Sequence, residues 1–205
     1  MLPLIVIAVE VATVIYYYYH SVLEYWSSKG FRIPPAELVF GHTRQLFKIN
    51  EPRILKYREW GTKYGKSYGI YEGVTKILVT SDIRILQEVF VKQFENFYSR
   101  KADVLSVHFD KDIWGEDADE FQPDRWLDPS RRIPPISFLA FGGGPRICIG
   151  MRLALMEEKL ALAHILRKFD IVKVINKKEL EIQGWLTLTP VSVPVAIVPR
   201  NRPVN

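Results

Sequence analysis

Apolar residues run almost unbroken from Leu2 to Tyr19, after which the chain changes to short amphipathic segments. A run of this length is what a bilayer core requires of a spanning helix. Its nine Leu, Ile and Val residues favour insertion by roughly 3–5 kcal/mol, and a charged Glu10 at mid-span opposes it by ~3 kcal/mol. The balance leans narrowly towards insertion. Tyr16 to Tyr19, Tyr25 and Trp26 suit an interfacial aromatic belt, and Lys29 and Arg32 beyond them place the following bulk on the cytosolic side. A cleaved signal peptide is the competing reading, but the segment has neither a basic start nor a clear small-x-small cleavage site.

Beyond the apolar run, Phe31-Arg32-Ile33-Pro34-Pro35 reads as a stiff extended linker. Glu51 to Tyr64 places Ile54, Tyr57, Trp60 and Tyr64 on one helical face. Lys66 to Tyr71 and Thr75 to Val79 flank Glu72-Gly73 and predict a hairpin. Ser81 or Asp82 can cap a helix carrying Ile83, Leu86, Val89, Phe90 and Phe94. From His108 to Trp126 proline, aspartate and tryptophan occur without periodicity, which predicts an ordered loop. Met151 to Lys168 is helical with apolar residues on more than one face, the pattern of a helix buried on several sides. Leu186 to Val198 reads as two short strands around a proline turn.

The 205 residues are 48% hydrophobic and 13% aromatic, enough for one ordinary core or two small ones. The net charge of +5 comes from scattered basic residues, which fits a weak preference for anionic membrane and does not point to nucleic acid. A single cysteine rules out an internal disulfide framework and fits a reducing compartment. Several motif fragments fail on context. Gly65-Lys66-Ser67-Tyr68-Gly69 leads into a strand instead of a helix, so it is no nucleophile elbow. As the end of a P-loop it lacks a glycine at position 60. Gly142 to Gly144 has Ile147 where a dinucleotide fingerprint needs its third glycine. His20, His42, His108 and His164 sit at no zinc-ligand spacing and read as solvated or packed.

The chemistry concentrates in Phe141-Gly142-Gly143-Gly144-Pro145-Arg146-Ile147-Cys148-Ile149-Gly150. The lone cysteine stands just before a helix start, where N–H groups and the helix dipole favour a thiolate. Glycines allow close approach of a large flat partner, and Arg146 offers a cation for a carboxylate. Axial ligation of haem iron has these needs; an isolated cysteine otherwise packs as a small buried hydrophobe. The ten residues resemble the signature F-[GS]-x-G-x-R-x-C-x-G of the cytochrome P-450 haem-thiolate monooxygenases, met at Phe141, Gly142, Gly144, Arg146, Cys148 and Gly150.

The resemblance implies an α+β fold, mainly α: a partial cytochrome P-450 fold with an N-terminal transmembrane helix. Residues 1–26 are the anchor and interface, 27–100 the β-rich N-terminal segment, and 101–205 the meander, haem loop, following helix and C-terminal strands. It implies haem (iron protoporphyrin IX) as cofactor, Cys148 as the iron ligand, Arg146 as partner of a propionate, and Phe141 packed near the thiolate. Arg125 corresponds to the meander arginine that joins a Glu and Arg of an E-x-x-R helix, and Val191 and Ser192 to the tip that reaches substrate. The implied activity inserts one oxygen atom from O2 into a lipophilic small molecule. NADPH acts only indirectly, through NADPH–P-450 reductase, and the chain is single-pass in the endoplasmic reticulum membrane with its bulk cytosolic.

No Glu in the chain has Arg three positions on, so E-x-x-R is absent, as is the long helix with the distal acid–threonine pair. The chain is expected to lack an internal block near Arg100 to Ser106, to have no intact catalytic set, and to leave Arg125 turned out to solvent. The alternative to a monooxygenase is an anchored, non-catalytic remnant that binds haem weakly or competes for membrane partners.

Overall fold

The computed structural model describes residues 2–48, 51–97, 105–174, 180–183 and 189–200. The apolar run is one helix, α1 (Leu2–Leu23), of 22 residues. At about 1.5 Å per residue it reaches roughly 33 Å; its apolar span is unburied, and only its last turns, at Tyr19, Val22 and Leu23, are partly covered. A short α2 (Tyr25–Ser28) follows. Then come α3 (Thr43–Leu46), α4 (Arg53–Tyr64), the strands β1 (Ser67–Glu72) and β2 (Thr75–Thr80), and α5 (Ile83–Gln87). Residues 105–146 form single turns around α6 (Lys111–Trp114) and lead to α7 (Met151–Lys168). The chain closes with β3 (Phe169–Lys173), β4 (Ile182–Gln183), β5 (Thr189–Pro190) and β6 (Val195–Pro199). The fold is α+β and mainly α, as its sequence implies.

The helical face predicted for α4 is the one it buries. Ile54, Tyr57 and Trp60 pack with Leu46, Tyr68, Ile70 and Val79 in one core, and Tyr64 lies at its edge. Complete burial of a side chain such as Ile70, with 0% exposure, contributes about 1.5–3 kcal/mol. β1 and β2 pair antiparallel with Glu72 opposite Thr75, so the turn residues are Gly73 and Val74, one place later than expected. Gly73 supplies the positive φ of 58° that the turn needs. Asp82 settles the choice of cap: its carboxylate accepts from Arg84 N–H at 2.9 Å, whereas Ser81 Oγ donates to Asp110 at 2.9 Å. α5 stops at Gln87, and one wider turn carries Phe90 into a second core with Leu86, Val107 and Leu139.

Phe31 to Pro35 is no free linker. Gly69 N–H donates to Arg32 O at 3.0 Å, Pro34 is fully buried, and its carbonyl lies 3.0 Å from His42 Nε2. The strap is extended because it pairs along β1, and the anchor end is tied to the same strand. Tyr71 Oη donates to Leu23 O at 2.8 Å and accepts from Trp26 N–H at 3.1 Å. The strands of the tail do not form one hairpin around a proline. β5 pairs with β4, and β6 with β3; Leu186 to Leu188 lie outside the described residues.

His42 holds strap to strand. Its Nδ1 accepts from Tyr71 N–H at 3.0 Å, which leaves the proton on Nε2, donated to Pro34 O. Burial pushes its pKa below the ordinary 6.5, and His108 is lowered by the same cause. The unfolded chain therefore binds more protons between the folded and unfolded values, so stability is complete above about pH 6.5 and declines as pH falls towards the folded value. The midpoint of thermal unfolding should drop between pH 7 and pH 5, and His42→Leu should flatten that dependence while lowering stability at pH 7. An equally steep dependence in the variant contradicts the assignment.

Candidate functional site

The loop between Phe138 and Gly150 is shaped by a ladder of short backbone bonds. Gly142 N–H donates to Leu139 O at 2.9 Å, Ile147 N–H to Gly144 O at 3.1 Å, and Cys148 N–H to Phe141 O at 2.8 Å. The last of these closes the loop, so that Phe141 and Cys148 face one another across it. Gly142 and Gly144 take φ of 80° and 68°, the left-handed region where a side chain is disfavoured. Gly144 has a second reason to be glycine. A Cβ there would overlap the carbonyl oxygen of Phe90, and one at Gly143 would come within 2.7 Å of Leu139 Cδ2. The N-terminal half of the chain thus forms the floor on which the loop rests.

Gly150 stands at the N-cap of α7, an 18-residue helix, and a Cβ there would lie 3.9 Å from Cys148 Sγ. The thiol is free and exposed, beside the N-terminal end of α7. Ile147 and Ile149 flank it in the sequence, and Ile149 is as exposed as in an open peptide, at 104%. Arg146 is exposed on the same loop. The residues present fit a haem by their chemistry: one outward thiol donor, apolar neighbours, a cation, and glycines where a bulky residue would fill the approach. Phe141, Gly142, Gly144, Arg146, Cys148 and Gly150 are thereby brought together. Val191 and Ser192 are not part of this cluster; they are exposed in the bend after β5.

Arg125 does not turn out to solvent. Its side chain is only 9% exposed, and the guanidinium donates to Gln122 O, Trp114 O and Asp117 O at 3.0, 2.9 and 3.1 Å. Asp117 Oδ2 adds a charged acceptor at 3.3 Å. Five fixed donors can be satisfied by backbone carbonyls of the loop itself, which no residue pattern announces. Trp114, Trp126 and Phe138 form an aromatic row beside it, with ring centroids 5.6 and 5.1 Å apart.

The helix expected to be buried on several sides buries none of its residues. Leu153, Met156 and Leu160 are 55%, 61% and 59% exposed, so the apolar breadth of α7 is real in the sequence and uncovered in the fold. Two further residues escaped the sequence reading. His108 accepts from Leu139 N–H at 2.8 Å, and Phe90 meets Gly144. A histidine at an aperiodic position carries no signal for either role.

Part of the chain is similar in sequence to known proteins. Residues 102–195 match the sequence profile of the family described as Cytochrome P450. Relatives in Caenorhabditis elegans include "Putative cytochrome P450 cyp-13B1", 52% identical over 101 residues that make up 49% of this chain and 20% of the relative. CYP13A10 is 48% identical over 45% of this chain and 18% of its own length, and CYP13A5 40% identical over 53% and 21%. The segment from 102 to 195 belongs to the cytochrome P450 superfamily. The chain spans about a fifth of the length of these relatives.

Proposed function

We propose that the loop from Phe141 to Gly150 binds haem through the Cys148 thiolate, and that the chain is of the haem-thiolate monooxygenase kind. The observation that carries this reading is the exposed thiol at the mouth of α7, presented by a loop whose glycines leave its approach open. Cys148 Sγ, exposed beside the start of α7, would be the iron ligand. Arg146 pairs with a carboxylate of the cofactor, and Phe141 shields the sulfur side. Gly142, Gly144 and Gly150 let backbone come close. When bound, thiolate-ligated iron supplies electron density that favours cleavage of the O–O bond.

The finer parts of the reading follow from the family. Electrons come from NADPH through its reductase, the substrate is a lipophilic small molecule, and Val191 and Ser192 are its contacts in the tail. α1 holds the chain in the endoplasmic reticulum membrane with the remainder cytosolic, divided into residues 1–26, 27–100 and 101–205. A second reading is favoured by the bare surface of α7: the chain presents the thiolate side of a haem site without the layers that would enclose it, and is catalytically silent as it stands. Water exclusion and a controlled proton supply are what oxygen activation requires.

One experiment separates the readings. The full chain in detergent is mixed with haem, reduced and exposed to CO, then assayed with reductase and NADPH. A red-shifted Soret band, present in the wild type and lost in Cys148→Ala, is expected, with NADPH spent only on leakage to peroxide. Absence of the band from the wild type contradicts haem-thiolate binding. Product formed in step with NADPH contradicts catalytic silence.

A further inference from the structure

We propose that His108 is a positioning residue for the loop that carries Cys148, acting through its hydrogen bond to Leu139; the relevance to haem rests on the reading above. The two residues are 31 positions apart and meet at 2.8 Å, imidazole Nε2 accepting from the Leu139 N–H. Leu139 is buried, at 4% exposure, in the core with Leu86, Phe90 and Val107, so loss of this acceptor leaves its N–H without its protein partner at the edge of that core. Leu139 is also where the ladder of the loop begins, because its carbonyl takes the Gly142 N–H. From there Phe141 O holds Cys148 N–H. A displacement at Leu139 therefore reaches the sulfur through two hydrogen bonds.

Among the described residues, the supports that the loop receives from elsewhere in the chain include the floor that Phe90 gives Gly144, the packing of Leu139 with Leu86 and Val107, and the acceptor that His108 gives Leu139. α7, which continues the loop, buries none of its residues and adds little restraint. His108 is itself held firmly. Its ring packs on Phe138 with centroids 5.4 Å apart, and the preceding Val107 is fully buried and accepts from Trp114 Nε1 at 2.9 Å. Trp114 O in turn takes the Arg125 guanidinium. The meander arginine and tryptophan thus fix the histidine, and the histidine fixes the loop. The bond requires the neutral ring protonated on Nδ1, since an imidazolium offers no acceptor. Burial, which lowers the pKa of His108, favours that form.

The test compares His108→Leu, which has no acceptor, with His108→Gln, whose amide oxygen can replace it. Hydrogen exchange is followed in the full chain, without haem and with it. Loss of the bond should raise exchange across residues 139–148 about tenfold in His108→Leu, and His108→Gln should restore it to within about twofold. The β1–β2 hairpin should be unchanged in both, which certifies that the variants fold. With haem, the thiolate-ligated fraction of the CO complex should fall in His108→Leu and recover in His108→Gln. Nitrogen NMR of the wild type should show His108 Nε2 without a proton. Unchanged exchange in His108→Leu, an equal rise in both variants, or a protonated Nε2 overturns the proposal. If the exchange pattern holds while the wild type gives no thiolate band, the haem reading fails and the positioning role stands.

Discussion

Gly144→Ala should dislodge the loop from 139 to 150 while leaving the β1–β2 hairpin folded. Two costs coincide at this glycine. Its φ of 68° is disfavoured for any residue with a Cβ by ~1–2 kcal/mol. The new methyl would also overlap the backbone carbonyl of Phe90, and backbone cannot swing aside as a side chain tip does. Overpacking of this kind adds roughly 1–3 kcal/mol, so a total of about 2–5 kcal/mol is expected. Gly142→Ala supplies the control. Its φ of 80° is similar, but the nearest atom to a Cβ is Arg146 O at 3.8 Å, so only the conformational cost of ~1–2 kcal/mol applies. Hydrogen exchange at residues 139–150 should rise far more in the first variant than in the second. Equal effects would show that Phe90 does not support the loop.

Removal of residues 2–19 should convert a chain that resists alkaline carbonate into one released from membranes, soluble or aggregated. α1 is largely apolar, with a mean hydropathy of 1.4 over Pro3–Leu23, and its apolar span is left unburied by the rest of the described protein. Its exposed Leu, Ile and Val side chains need a partner, and a hydrocarbon core about 30 Å thick matches the helix. The change should be close to all-or-none, because the remaining surface offers no second segment of this kind among the described residues. The tie between Tyr71 and Leu23 adds a finer expectation. Tyr71→Phe leaves membrane retention intact but removes the bond that joins anchor to sheet, so proteolysis between residues 23 and 36 should accelerate. An intact chain that washes off as readily as the shortened one contradicts a spanning α1, and places the weight on Glu10.

The elements legible in the sequence are those with a period. α4 buries the face that its apolar spacing marks, α7 runs over the same residues as the pattern that predicted it, and Asp82 caps where an acidic residue precedes an apolar run. The loop motif was legible because it concentrates a cysteine, an arginine and four glycines in ten residues. What stayed hidden depends on backbone groups distant in the chain. Arg125 finds carbonyls of Trp114 and Asp117, His108 finds the N–H of Leu139, and Gly144 rests on the carbonyl of Phe90. Every residue has a carbonyl and nearly every one an N–H, so these partners leave no trace in residue identity. The linker from Phe31 to Pro35 misled for a related reason. An extended proline-containing segment looks the same whether it is solvated or paired along β1, and only His42 distinguishes the two.

The tail shows the limit of local pattern in another way. Val191 and Ser192 stand between two runs of strand-forming residues, which alone suggest a hairpin. In the fold each run takes a partner upstream, β5 with β4 and β6 with β3. β3 follows α7 directly, so its pairing with β6 ties the end of the helix to that last strand, with Arg200 and Asp170 2.6 Å apart.

Iron K-edge X-ray absorption on the haem-loaded full chain tests the central claim most directly, because it reads the atom bound to iron. The account predicts a sulfur in the first coordination shell of the wild type and its loss in Cys148→Ala, with haem content compared in both samples. The three methionines, including Met151 beside the loop, make that variant the necessary control. A wild-type spectrum fitted by nitrogen and oxygen alone, or a sulfur shell that survives in Cys148→Ala, would contradict ligation by Cys148.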